Sequence, residues 1–406
     1  RARAATRFAP GRVATNADHE REFDDSMPPF RFLHAANLLL DHPLQQVDNL
    51  DPRIAAITEQ ATVTAFRQIV ETAIAEEIDF LLLAGNCFDS ADYSLQAEIA
   101  LLRGLEELAD DGIDVYIAPG ETDPAATWES LPQLPENTTV LPRGEWVTVI
   151  RDDTPIASLQ LTDEAVSAAG TAPYPIVITR NGRLCPAMWD QFAHESGDGP
   201  AIEYELISDK VAESATTPSQ HDFARRGVRY WAVGSGDARR TVYIHDAVAH
   251  HPGGTQALSP AQGGAHGCTL VEVDEQGRTE LTFVPAAAVR FETLTLNLHG
   301  GIGQGQLLEQ IEMAVDALHR HPSDAALLLS WQIRGDGPGR QLLADPEFHL
   351  EIDERLQAMI HDAELHVASL GPQDAAARTH SPSFPPGSLA AEYWKEFTAS
   401  ETNGTN

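Results

Sequence analysis

Residues 30–120 alternate in a way that few folds accept. Phe30–Ala36 is a short apolar run ending at Asn37. Over Ile54–Ile78 apolar residues return at helical spacing, with Phe66, Ile69, Val70 and Ile74 on one face. FLLLAG (80–85) is a continuous apolar run of the kind buried on both faces of a sheet. Leu95, Ile99, Leu102, Leu105 and Leu108 mark a second amphipathic helix, Asp111-Gly112 stops it, and VYIAPG (115–120) supplies a third strand. Strands separated by whole helices predict parallel pairing with right-handed crossovers.

After residue 137 the pattern changes. WVTVI (146–150), PIASLQL (155–161), YPIVITR (174–180) and RYWAVGSG (229–236) read as strands, with only a short helical stretch at 218–226 between the last two. GCTLVEVD (267–274) and TELTFVP (279–285) flank Glu275-Gln276-Gly277-Arg278, a hairpin signature. From about residue 290 a strand (291–298), a helix (307–319), a strand (327–334) and a helix near 352–362 follow. The expected class is α/β: two facing β-sheets flanked by helices, plus a small α/β domain. The expected division is a disordered N-terminal tail over 1–28, a main domain over 29–289, a smaller domain over 290–370 and a C-terminal tail over 371–406. Residues 1–26 lack apolar periodicity, and Met27 is an alternative start of translation.

Charge narrows the function. The 406 residues carry 27 Lys and Arg against 61 Asp and Glu, a formal charge of −34, and the lysines are Lys210 and Lys395 alone. Such a surface repels phosphate backbones unless basic residues cluster locally, which argues against generic nucleic-acid binding. Cys87, Cys185 and Cys268 are sparse and odd in number, so a reducing, cytoplasmic setting is expected rather than a disulfide framework. No apolar run approaches the ~20 residues of a membrane span.

In open α/β sheets ligands bind beyond the carboxyl ends of the strands. Here those ends read AANLL (35–39), AGNCFDS (84–90), PGETDP (119–124), TRNG (179–182) and GSGDAR (234–239). Around them stand FRFLHAA, ATVTAFRQIVETAI, EIDFLLLAG, GIDVYIAPG, YWAVG and HPGGTQAL…GGAHGCTLVEVDEQG. In these stretches and their order the chain resembles calcineurin-like metallophosphoesterases of the SbcD-type bacterial DNA-repair exonuclease group, over about residues 29–290. The family's words are HAADLHLD, AGDxFD, GNHD, a lone His after a later strand, and GHxH. The resemblance implies a metallophosphoesterase four-layer sandwich with a capping domain, two Mn or similar divalent ions, and phosphodiester cleavage. It also implies an SMC-like ATPase as partner and a homodimer.

The chemistry words differ from the family's. Asn37 and Leu39 stand at the first Asp and His ligand positions, Asn86 at that of the bridging Asp, and Glu121 at the Asn ligand. Thr122 takes the place of the catalytic His, while Asp123 matches the motif's final Asp. Ser235 and Asp237 replace the two His of the last motif, and the lone His falls at Arg180 or Asn181. A two-metal site holds its ions about 3.5–4 Å apart through a shared anionic oxygen, and a neutral amide is a poor bridge. Leu39 offers no donor atom, and Thr122 is no acid near neutral pH. The expected metal content is none, Glu121, Asp237, Asn37 and Asn86 reading as solvated loop-tip residues, with a single Mg or Ca on their oxygens as the alternative. His34, Asp41 and Asp89 match family residues and are expected to hydrogen-bond the sheet-edge loops. His250 and His251 face opposite ways in a strand, Cys87, Tyr230 and Trp231 read as core, and the 307–319 stripe reads as core before partner surface. The expected function is a pseudoenzyme of this fold, a binding or regulatory subunit. The alternative is an active metal-dependent DNA exonuclease or phosphodiesterase with a rebuilt site.

Overall fold

The computed structural model describes residues 27–47, 50–90, 94–131, 133–162, 166, 170, 172–180, 227–234, 238–244, 247–298, 302–335, 339–343, 345–359 and 365–372. The helical stretch expected at 218–226 lies outside them. The alternating segment builds the parallel half of the first sheet: β1 (Phe30–Ala35), β2 (Phe80–Leu83), β3 (Asp114–Ile117) and β4 (Thr138–Val140). The hairpin of β11 (Gly267–Val273) and β12 (Thr279–Pro285) adds to it, β11 running antiparallel to β1.

The second sheet holds β5 (Trp146–Arg151), β6 (Thr154–Leu161), β7 (Tyr174–Thr179), β8 (Tyr230–Val233), β9 (Arg240–Ile244) and β10 (Ala247–His251). Its order is β5-β6-β7-β8-β10-β9. A third, parallel sheet follows from β13 (Val289–Asn297), β14 (Ala326–Arg334) and β15 (His366–Pro372). Met27 is already part of the packed structure: its side chain is buried and its N–H donates to Glu275 O at 2.9 Å.

Strand alternation sorts β1 between two cores. Leu33 and Ala35 face the helices, while Phe30, Phe32 and His34 face the second sheet. There Phe32 stacks on Phe80 (4.7 Å) and meets the edge of Tyr230 (5.5 Å). Gln256 ties the main body to the third sheet. Its oxygen accepts from Ala288 and Val289 N–H (3.0 and 3.1 Å), and its amide donates to Val289 O (2.6 Å).

Two helical expectations need correction. The single helix over 54–78 is two, α1 (Pro52–Glu59) and α2 (Ala61–Ala75), broken at Gln60. The break lets one stretch serve two cores. Ile54 packs with Val289, Phe291 and Leu328 of the third sheet, whereas Phe66, Ile69 and Val70 pack under the first. In α3 (Leu95–Asp110), capped by Ser94, the expected apolar face included Leu95 and Ile99. Both are exposed, at 69% and 41%. The buried stripe is Ala97, Leu101, Gly104, Leu105 and Leu108, because α2 approaches too closely for large side chains throughout. A Cβ on Gly104 would lie 2.5 Å from Phe66 Cε1. Gly104→Ala is therefore expected to destabilise despite better helix propensity: overpacking costs roughly 1–3 kcal/mol against a gain near 1. A lower urea midpoint at unchanged m-value checks this.

Four further α-helices complete the described fold. A short α4 (Ala125–Ser130) follows β3. In the last unit α5 (Gln304–Asp316) buries Leu307, Leu308, Ile311 and Val315, as the stripe reading expected. Beyond a helical turn, α6 (Gly339–Leu342), α7 (Pro346–Met359) packs beside β15.

Candidate functional site

The carboxyl ends of β1, β2 and β3 bring Asn37, Leu39, Asn86, Glu121, Thr122 and Asp123 together. The backbone there is unusual. Asn37 (φ 52°), Leu39 (φ 42°), Asp41 (φ 64°) and Asn86 (φ 55°) are all left-handed. Asn and Asp tolerate that conformation through local side-chain bonding, but leucine does so at a cost of about 1–2 kcal/mol. What over-determines it is a backbone zipper between the loops. Asn37 N–H donates to Gly85 O (3.0 Å), Leu39 N–H to Asn86 O (3.1 Å) and Leu40 N–H to Cys87 O (2.9 Å).

Asn86 is the hub. Its side-chain oxygen accepts from Glu121 N–H (3.0 Å) and Thr122 N–H (3.2 Å), and lies 3.2 Å from Thr122 Oγ1. The Thr122 hydroxyl has one proton, and its nearer acceptor is Phe88 O at 2.9 Å. Two backbone N–H groups can only donate, so they fix which end of the amide is oxygen. Asn86 Nδ2 therefore points the other way and donates to Asn37 Oδ1 at 2.8 Å. The two residues at family ligand positions are clasped to each other.

Beneath the clasp Asp123 is fully buried. Its carboxylate accepts from Asn86 N–H (3.0 Å), Cys87 N–H (2.9 Å) and Gly120 N–H (2.7 Å). Burial pushes its pKa up to about 6, and the backbone donors pull against that. A Cβ on Gly120 would sit 2.3 Å from Asn86 N, so glycine is required where the two loops meet. Cys87 is fully buried, and burial first and Asp123 second raise its pKa well above the ordinary value, so it is a packed thiol. Glu121 is exposed at the mouth.

The supporting residues divide. His34 does not bond a loop, as expected for it, because strand alternation turns it into the inter-sheet core. Its Nδ1 lies 3.0 Å from Tyr230 Oη, and its Nε2 is buried without a partner. The Asp41 backbone N–H donates to Thr62 Oγ1 at 2.9 Å, holding the β1 loop on α2. The loop-binding carboxylate is Asp123. Asp89 is partly buried near the end of the β2 loop. Asn181, Ser235 and Asp237 lie outside the described residues. Gly234, next to them, brings the sheets into backbone contact: a Cβ there would be 1.7 Å from Ala84 O. Sequence reasoning missed the hydrogen bonds of His250, whose ring nitrogens lie 2.8 Å from Thr241 Oγ1 and 2.8 Å from Thr269 Oγ1. It also missed Arg239; the signal available was the arginine that closes the strand-end stretch GSGDAR.

The described residues at these strand ends do not fit a pair of divalent ions. The Asn86 oxygen that would face a metal is taken up by Glu121 and Thr122, its amide nitrogen cannot ligate, and Leu39 has no donor. Among the described residues no group of three or more His, Cys, Asp or Glu could hold a metal ion.

Two helix-flanked mixed sheets bring loops together at the carboxyl ends of their strands. In sequence the chain is similar to the Bacillus subtilis (strain 168) protein named "Uncharacterized metallophosphoesterase YhaO". It is 27% identical over 337 residues, 81% of this chain and 76% of the relative. No family model matches the chain. Similar solved structures include TT1561 of Thermus thermophilus, at 13% identity over 63% of this chain and 99% of that one, TM-score 0.33. GAP50, the anchor in the inner membrane complex of Plasmodium, matches at 11% identity over 64% of this chain and 85% of that one, TM-score 0.36. No helix among the described residues is long and apolar enough to cross a membrane.

Proposed function

We propose that the protein is a member of the SbcD-type DNA-repair exonuclease group that has given up two-metal hydrolysis and serves as a cytoplasmic binding or regulatory subunit. An SMC-like ATPase is its proposed partner. The observation that carries the reading is the amide clasp between Asn86 and Asn37. In a working dinuclear site the residue after Gly85 would be an anion shared by two cations. Here it is a neutral hydrogen-bond hub that holds three loops together. The loops are held in a costly left-handed backbone by residues poor in metal-ligating chemistry, as expected if shape is used and hydrolysis is not.

The test is a phosphodiesterase and nuclease assay on purified protein with Mn²⁺, paired with thermal melts in chelator. Turnover is expected to equal the buffer blank, and chelation is expected to leave the melting midpoint unchanged. Metal-dependent turnover that disappears in Glu121→Ala would sink the reading in favour of a rebuilt active site. Co-purification with an SMC-like ATPase supports the partner assignment, and its failure with co-expressed candidates removes it.

A further inference from the structure

Arg239 immediately precedes β9, at the same edge of the sandwich as the strand-end loops. Its guanidinium carbon lies 3.8 Å from the centroid of the Phe283 ring. Phe283 pairs with Thr269 in β11, and Thr269 pairs with His34 in β1. Thr269 bonds His250, so Phe283, directly across from it, shares the face turned toward the second sheet. The guanidinium thus covers an aromatic ring at the open end of the inter-sheet gap.

The environment of this arginine is unbalanced. Its Nη1 is buried and has no hydrogen-bond partner. Among the described residues no carboxylate pairs with it, in a chain with 61 acidic residues. Its charge reaches His250 and His321, and His321 also faces the Asp324 carboxylate. Burial chiefly, with Arg239 among the lesser causes, lowers the pKa of His250 and of His321. The other guanidinium near His321 is Arg290, which is already taken by Glu292 (2.7 Å) and Asp324 (2.9 Å). An aromatic face returns only about 0.5–2 kcal/mol to a cation. A desolvated charge without a counter-charge costs more than that.

We propose that Arg239, stacked on Phe283, is an oxyanion site that takes a phosphate group, free or as a small monoester. Stacking fixes the plane of the guanidinium and leaves its edge donors as a fork for two oxygens. Phosphate suits the place better than a carboxylate because it offers more acceptor oxygens and up to two negative charges near neutral pH to an unpaired guanidinium. Nη1 itself is buried, whereas Arg239 as a whole is only partly buried, so an anion would approach from the exposed part of the side chain. The site does not rest on the reading of the strand-end clasp.

The experiment is calorimetric titration and thermal melting of the full chain with inorganic phosphate and, separately, adenosine 5′-monophosphate, at matched ionic strength. Wild type is expected to bind at least one of them saturably and to melt higher with it. Tighter binding of the nucleotide assigns the site to a monoester, and equal or tighter binding of phosphate assigns it to the free ion. Arg239→Gln is expected to lose about tenfold or more in affinity. Without phosphate it should melt at or above wild type, since an uncompensated charge has gone. A lower midpoint without phosphate would mean a purely structural arginine and would overturn the proposal. So would absence of any response in wild type, or an equal response in Arg239→Gln, which would mean an adventitious ion only. If Arg239→Gln does not fold, Arg239→Lys keeps the charge and loses the fork; unchanged affinity there overturns the site.

Discussion

Asp123→Ala is expected to cost the protein roughly 3–9 kcal/mol, because it orphans three buried backbone N–H groups at about 1–3 kcal/mol each. Those groups belong to Asn86, Cys87 and Gly120, and they join the β2 loop to the β3 loop. The carboxylate is itself costly to bury, as its raised pKa records, so the lower half of the range is expected. Asp123→Asn should cost less, since the amide oxygen can still accept while its NH₂ cannot. The damage should be local as well as global. With the clamp gone, the zipper of Asn37, Leu39 and Leu40 onto the β2 loop has nothing beneath it. The unfavourable left-handed turn at Leu39 is then free to relax. Urea denaturation reads the global loss, and faster hydrogen exchange at the Leu39 and Leu40 amides reads the local one. A variant within about 1 kcal/mol of wild type would show that the strained loops are held by something other than this carboxylate.

Much of this arrangement is legible in the sequence itself. The period switch between apolar runs and helical spacing sets β1, β2 and β3 in parallel, and parallel strands place their loops at one edge. Asn37, Asp41 and Asn86 are residue types that accept left-handed backbone, so their presence at strand ends carries a real signal. Leu39 carries none, since nothing in its type predicts a positive φ. The roles of Asn86 and His34 depend on distant partners. Asn86 takes its donors from 35 and 36 residues away, and the partner of His34 is 196 residues away. Local pattern cannot reach that far. The same limit explains the helix errors. Gln60 breaks a helix because two separate cores compete for its two halves. Leu95 and Ile99 are exposed because the face of α3 that packs inward is the opposite one, Ala97, Leu101, Gly104, Leu105 and Leu108. Periodicity reports which residues are apolar, and the neighbours decide which of them are covered.

Acid should loosen the contact between the two large sheets, and histidines placed between them give the sign. His250 sits between Thr241 and Thr269, His34 bonds Tyr230, and the two imidazoles are 5.8 Å apart. Burial is the main cause that holds all three nearby histidines neutral: His250 is lowered to about 3, His251 to about 4, and His34 well below its ordinary value. In the unfolded chain each titrates near 6.5. Below that pH the unfolded state therefore binds more protons, and stability falls as pH falls until the folded value is reached. Asp123, Asp114 and Asp353 act in the opposite direction, because their raised folded pKa values make the folded state bind protons first. A bare stability profile mixes these contributions, so the comparison is with His250→Gln, which can still hydrogen-bond but cannot titrate. Between about pH 7 and pH 4.5 wild type should lose roughly 3 kcal/mol more than the variant, two pH units below 6.5 at about 1.4 kcal/mol each. Parallel profiles for the two proteins would mean that the imidazole is not desolvated as its position between Thr241 and Thr269 requires. The inter-sheet polar cluster would then be open to water rather than part of the core.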